Sequence, residues 1–240
     1  KKLAVMTREV FKNFAKYLVD FFRFSVIDEK YIKQNVRISG THNIDSALAK
    51  GKGAIILSAH VGNWELGGIA LPLSGYPLSA VVLTHQNKKI NDFFTSQRLR
   101  GKLKPIEIGA SLRACYRTLK KNGLLALLGD RDFTKNGLMA DFFGKKTHMP
   151  KGPAIFAYRE GAAILPTFIT RNPDDTFNMV IHEPIYADPT LSEEDSVAGL
   201  AAQYIKKIEQ CVRSYPTQWY VFKNLWENNG KESLRPDTIL

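Results

Sequence analysis

His60, Gly62 and Glu65 bring together the residue types of acid–base chemistry at a spacing that suits a strand-to-helix turn. The apolar run Gly53-Ala-Ile-Ile-Leu-Ser-Ala59 reads as a buried strand, and Trp64-Glu-Leu-Gly-Gly-Ile-Ala-Leu71 reads as the start of a helix. On one continuous helix, residues five apart point away from each other. Across a turn they need not. Gly62 lets the chain reverse, so a first-turn Glu65 can return to the imidazole of His60. A histidine at the carboxyl end of a strand, its tautomer fixed and its basicity raised by a carboxylate, can act as a general base on a hydroxyl or amine. A buried histidine beside a helix-starting acid fits the same residues, and for an isolated pattern it is the commoner case. The rest of the chain has to decide.

Three further sites carry chemistry. Arg98 and Arg100 lie two apart and diverge on a helix, so they do not share one role. A guanidinium suits a phosphate or carboxylate bidentately. The apolar strand Leu124-Leu-Ala-Leu-Leu128 runs into Asp130-Arg131-Asp132. A strand ending in this way also occurs in metal-dependent glycosyltransferases, where the two carboxylates would hold a divalent cation on a nucleotide sugar. Lys151-Gly152-Pro153 opens a helix whose free backbone N–H groups favour anions, and Gly152 would allow close approach. A tight turn punctuated by Gly and Pro, or an aspartate bonded to an arginine, fits those residues equally well. His42, His85, His148 and His182 have no carboxylate at a telling spacing.

Composition narrows the partners. The formal net charge is +11 in 240 residues, which points to an anionic partner: a membrane surface, a phosphorylated substrate, an acidic carrier protein or nucleic acid. Nucleic acid is the weakest of these, because no recognised nucleic-acid-binding pattern is present. Cys115 and Cys211 form no CxxC pattern, so neither a disulfide framework nor a zinc site is expected, and both read as reduced thiols. No apolar run reaches the roughly 20 residues that span a bilayer, and there is no signal-peptide pattern. Within residues 1–25, Val10, Phe11, Phe14, Tyr17, Leu18, Phe21 and Phe22 alternate with Lys12, Lys16 and Arg23. That spacing predicts an amphipathic helix with a broad aromatic face, suited to a membrane interface or to the domain core.

Helix-like and strand-like segments alternate through the chain. Strands are predicted at 35–39, 54–59, 79–83, 105–108, 124–128, 163–170 and 177–182, and helices at 44–50, 63–73, 88–99, 111–121, 152–159 and 192–214. With no repeat or linker, the expectation is one α/β domain over 1–240, a mixed sheet flanked by helices.

These residues also carry a resemblance. His60…Glu65 looks like the H-x4-D/E motif of glycerolipid acyltransferases, and the chain more narrowly resembles the lauroyl/myristoyl acyltransferases of bacterial lipid A biosynthesis. Four blocks follow in the family's order: Asn87 through Arg100, the strand 124–128 with Asp130-Arg131-Asp132, Phe142-Phe143-Gly144 with Met149 through Ala154, and Tyr215-Pro216-Thr217-Gln218-Trp219 with Trp226. Arg131 departs from the Gln or His common there. The resemblance implies a glycerolipid-acyltransferase-like fold and transfer of a fatty acyl chain from a thioester to a lipid or glycolipid acceptor. His60 would be the base, Glu65 its orienting group, and Arg98, Asp130 and Gly152 substrate-binding residues. Phe142, Phe143 and Phe156 would line an acyl groove or pack the core. It implies no metal and no resident cofactor, with acyl carrier protein or coenzyme A as the donor's carrier. It also implies a peripheral protein on the cytoplasmic face of the bacterial inner membrane. Members often carry an N-terminal membrane span, and this chain either lacks it or begins after it.

Overall fold

The computed structural model describes residues 2–108, 111–132 and 136–226. Seven of its strands form one sheet. In spatial order they are β1 (Val36–Ser39), β9 (Phe177–Ile181), β8 (Ala163–Arg171), β2 (Ala54–Ser58), β5 (Leu124–Leu128), β3 (Leu78–Val82) and β4 (Lys104–Glu107). All neighbours are parallel except β8 and β9, so β1 and β9 run against the other five. The expected mixed sheet is present.

Its central strands are apolar without alternation because both faces are covered. Ala54 and Ile56 of β2 belong to one core cluster, with α3 (Thr41–Leu48) and α4 (Trp64–Leu73). Ile55 and Leu57 belong to a second, with α6 (Ser111–Lys120), α7 (Gly152–Glu160) and α8 (Glu193–Ser214). The result is a sheet between two helical layers.

The first helix, α1 (Lys2–Phe22), divides its aromatic face between two environments. Tyr17 and Phe21 are buried, and Tyr17 stacks on Trp64 with ring centroids 4.4 Å apart. Leu3, Val5, Phe11, Val19 and Phe22 stay exposed. Among the described residues no helix is long and apolar enough to cross a membrane.

Two features were not predicted. A short helix, α2 (Glu29–Asn35), is capped by Asp28, whose carboxylate accepts from Tyr31 N. A hairpin joins β6 (Leu138–Phe142) to β7 (Lys145–Met149) across Phe143 and Gly144, both at positive φ. Two-residue hairpin turns favour Asn-Gly or Gly-Gly. Phe143 hides the turn because its ring is held by Trp219, Trp226 and the Arg213 guanidinium.

Candidate active site

The site lies at the carboxyl ends of two neighbouring parallel strands. Ser58, the last residue of β2, is in register with Leu128, the last of β5. Two residues beyond each stand His60 and Asp130, which the sheet therefore places side by side. Asp130 Oδ1 lies 2.8 Å from His60 Nδ1, and Asp130 Oδ2 accepts from the His60 backbone N at 2.9 Å and from Trp219 Nε1 at 3.0 Å. Asp130 is fully buried. Burial alone would push its carboxyl up; the His60 imidazole and the hydrogen bonds from His60 and Trp219 outweigh it and hold the group below the usual carboxylate range. A carboxylate at Nδ1 selects the tautomer with the proton there, so Nε2 keeps its lone pair.

The turn between β2 and α4 is built to hold this geometry. Gly62 has φ +64, its N–H donates to Gln218 O at 2.8 Å, and a Cβ there would fall 1.8 Å from Ile169 O. Only glycine fits. Asn63 caps α4 by accepting from Leu66 N at 3.0 Å, while its amide donates to buried Asp20 of α1 at 2.7 Å. Asp20 is also paired with Arg171 at the end of β8. Tyr220 N donates to His60 O at 2.8 Å. The loop bearing His60 is thus tied to α1, β8 and the 215–220 segment.

Glu65 takes a different partner from the one expected. Its oxygens accept from Arg98 Nε at 3.0 Å and Arg98 Nη2 at 2.5 Å, a bidentate pair between α4 and α5 (Lys88–Arg100). Both side chains are nearly buried, at 10% and 8% exposed. Burial pushes the Arg98 guanidinium down, but Glu65 more than offsets that and holds it above its ordinary range. Removing one partner strands a buried charge, which costs about 3 kcal/mol or more. Arg98→Met is therefore expected to lower the unfolding free energy by about that amount, measured by urea titration. The Glu65→Gln/Arg98→Met double variant should recover part of the loss.

A cavity of about 490 Å³ opens beside these groups. His60, Glu65, His85, Arg98, Arg131 and Lys223 are among its polar lining. Much of the remaining lining is apolar, including Ile56, Ala126, Leu103 and Met179 with Gly67 and Gly68 of α4.

The bacterial lipid A biosynthesis acyltransferase family model matches residues 2–228 of the chain. The chain belongs to this family. It is an acyltransferase, with a mixed α/β architecture and a lipid acyltransferase's ancestry. The phosphatidylinositol mannoside acyltransferase of Mycobacterium tuberculosis is 26% identical over 233 residues, covering 93% of this chain and 71% of that protein. The lipid A biosynthesis acyltransferase of Haemophilus influenzae is 23% identical, covering 88% and 65%. A solved 1-acyl-sn-glycerophosphate acyltransferase from Thermotoga maritima aligns at a TM-score of 0.46 and 18% identity over 85% of this chain and 81% of its own.

The structure places the expected site residues as follows. The carboxylate at His60 Nδ1 is that of Asp130, brought there by the sheet register, while α5 delivers Arg98 to Glu65. Arg98 lines the cavity and forms its bidentate pair with Glu65. Asp130 binds the histidine and lies beneath the cavity lining rather than in it. Gly152 opens α7 as expected but does not line the cavity, and a Cβ there would meet open space. Phe142 and Phe156 are buried in the core. A cation at Asp130 and Asp132 would have to displace the hydrogen bonds of His60, Trp219 and Gly137. Among the described residues no group of three His, Cys, Asp or Glu side chains could hold a metal. Trp219 was legible as part of a motif, yet its bond to Asp130 could be seen only once the 215–220 segment was paired with the 60–62 turn.

Proposed function

We propose that the protein transfers a fatty acyl chain from an acyl thioester to a hydroxyl of a lipid or glycolipid, with His60 as general base and Asp130 as its positioning partner. The observation that carries this reading is the buried Asp130–His60 pair, whose imidazole lines a largely apolar cavity. His60 Nε2 accepts the acceptor's proton as its oxygen bonds to the thioester carbonyl carbon. The C–S bond then breaks, and the proton passes to the departing sulfur. An ester and a free thiol result. No acyl-enzyme is required, since the thioester is already activated, and the sequence has no G-x-S-x-G nucleophile elbow.

The donor is an acyl thioester of acyl carrier protein or coenzyme A, both anionic and suited to a chain of net charge +11. Exposed Phe11, Phe22 and Phe222 stand with the basic residues of α1, the arrangement of a peripheral face on an anionic membrane.

In this reading Gly67, Gly68, Ile56, Ala126, Leu103 and Met179 line an apolar arm of the cavity that takes the acyl chain. A side chain at Gly68 points at Leu103, whose Cδ2 lies 3.3 Å from the position of a Cβ there. Gly68→Leu should shorten the arm and shift preference to shorter donors, with a loss of about fourfold in kcat/KM per methylene excluded at ~0.8 kcal/mol each. A donor series of increasing chain length measures this.

Acid pH is expected to slow turnover, because protonation of Nε2 removes the base. A pH–rate profile of kcat measures this. The direct test of the reading is thiol release from acyl coenzyme A with and without a phospholipid acceptor. Acceptor-dependent release supports transfer, whereas equal release without acceptor would make the protein a thioesterase.

A further inference from the structure

Asp20, near the end of α1, is a buried carboxylate that stands outside the cavity lining and has no part in the chemistry above. Its Oδ2 accepts from Asn63 Nδ2 at 2.7 Å and is also paired with Arg171 Nη2. Arg171 Nη1 donates to Asp175 Oδ1 at 3.2 Å, and Lys16 of α1 reaches the same oxygen at 2.5 Å. Gln218 clasps the backbone of Arg171, accepting from its N–H and donating to its carbonyl, both at 2.9 Å. The Gln218 carbonyl in turn accepts from Gly62 N. A polar network thus runs from α1 to the turn that bears His60.

Asn63 is the point at which α1 meets that turn. Its Oδ1 accepts from Leu66 N and its Nδ2 donates to Asp20, so one end of the side chain must accept while the other donates. Capping alone does not call for an amide, since serine, threonine and aspartate cap helices comparably. Asp20 does call for one: an aspartate at position 63 would set two carboxylates against each other. The next residue, Trp64, stacks on Tyr17 of α1 and lies edge-on to the His60 ring at 5.0 Å. Tyr17 and Asp20 are three apart and share one face of α1, so the helix holds the turn at two adjacent residues. His60 is three residues upstream of Asn63, and Val61 and Gly62 between them are bridged to Trp219 and Ile169. A turn pinned in this way passes a displacement at Asn63 on to the imidazole, and so to its 2.8 Å contact with Asp130.

We infer that Asp20 is a positioning residue for acyl transfer: through the Asn63 amide it fixes the turn that holds His60 against Asp130. The inference rests on His60 as the base, but the placement of the imidazole can be read without turnover.

The test exchanges the two ends of the Asp20–Asn63 bond, at mildly alkaline pH, where two carboxylates sharing one proton are disfavoured. Asn63→Asp keeps the α4 cap and turns the bond into a repulsion. Adding Asp20→Asn again sets a donor opposite an acceptor, leaves Arg171 its bond to Asp175 and leaves the net charge of the network as in wild type. Asn63→Asp should lower kcat about 10- to 100-fold with each KM within about twofold, and the double variant should return kcat to within about threefold. The Nδ1 proton resonance of His60 should move upfield in Asn63→Asp, as its bond to Asp130 lengthens, and return in the double variant. Asn43→Ala is the control, because it removes a buried bond to Ile181 O at 3.0 Å outside the cavity lining. It should lower the melting temperature and leave kcat and the resonance unchanged, with all assays run well below melting. Should Asn63→Asp not fold, Asp20→Ala removes the acceptor instead and must show the same loss of kcat and the same upfield shift. An Asn63→Asp variant that behaves like Asn43→Ala would overturn the inference, as would a double variant no more active than the single one. If wild type transfers no acyl chain, the acyl-transfer reading fails, while the resonance still decides whether Asp20 positions His60.

Discussion

His60→Ala is expected to lower kcat by about 10³-fold, within the range of 10² to 10⁴ that a positioned general base contributes. The loss should be chemical rather than structural. Asp130 keeps its bonds from the residue 60 backbone N–H and from Trp219 Nε1, so the turn retains two of its three anchors to that carboxylate. Gly62 stays tied to Gln218 and Asn63 still caps α4. Donor binding should survive, because the apolar arm contains none of these groups. A variant with a nearly unchanged donor KM, a melting temperature within a few degrees of wild type and kcat near background is the expected pattern. Loss of fold together with activity would leave the role of the imidazole undecided, so His60→Gln, which keeps a polar side chain of similar size, should be measured beside it and give the same kcat.

Asp130→Asn should cost at least as much without removing the base. Both Asp130 oxygens now accept, one from His60 Nδ1 and the other from a backbone N–H and an indole N–H. An asparagine can keep the second set with its carbonyl oxygen. Its amide then faces the imidazole as a donor, which favours a lone pair at Nδ1 and a proton at Nε2, where the acceptor's proton must go. Tautomer reversal of this kind costs on the order of 10³ to 10⁴ in kcat. Nitrogen-15 NMR of the ring separates this from a structural effect: Nδ1 should carry the proton in wild type and Nε2 in Asp130→Asn. Asp130 has a second, pH-dependent consequence. Its carboxyl titrates lower in the folded state than in the unfolded chain, so its stabilisation is present above the ordinary carboxylate range and is lost as pH falls through the folded-state value. The stability gap between wild type and Asp130→Asn should therefore persist through mildly acid pH and close only in stronger acid.

How much of this was legible in the sequence depended on whether local or long-range order carried it. The strand 54–58, the turn at Gly62 and the helix from Trp64 are local, and their apolar runs, glycine and cap were sufficient to place His60 at a strand's carboxyl end. The sheet over 36–39, 78–82, 104–107, 124–128, 163–171 and 177–181 followed from the same signals. Which carboxylate met the histidine did not. Glu65 is five residues away and Asp130 seventy, and proximity in sequence favoured the wrong one. The deciding facts were the β2–β5 register and the approach of α5 with Arg98, neither of which has a local signature. Trp219 and Lys223 reached the site by the same long-range route. The β6–β7 hairpin was missed for a different reason: an aromatic residue occupies a positive-φ turn position normally given to Asn or Gly.

The most direct measurement is to follow an isotopically labelled acyl chain by mass spectrometry after mixing wild-type protein with labelled acyl carrier protein or acyl coenzyme A and bacterial lipid. The label should appear as an ester on a lipid acceptor, with the free thiol formed in equal amount and no label left on the protein. Label confined to free fatty acid, retained on the protein or remaining wholly on the donor would contradict direct transfer through the His60–Asp130 pair.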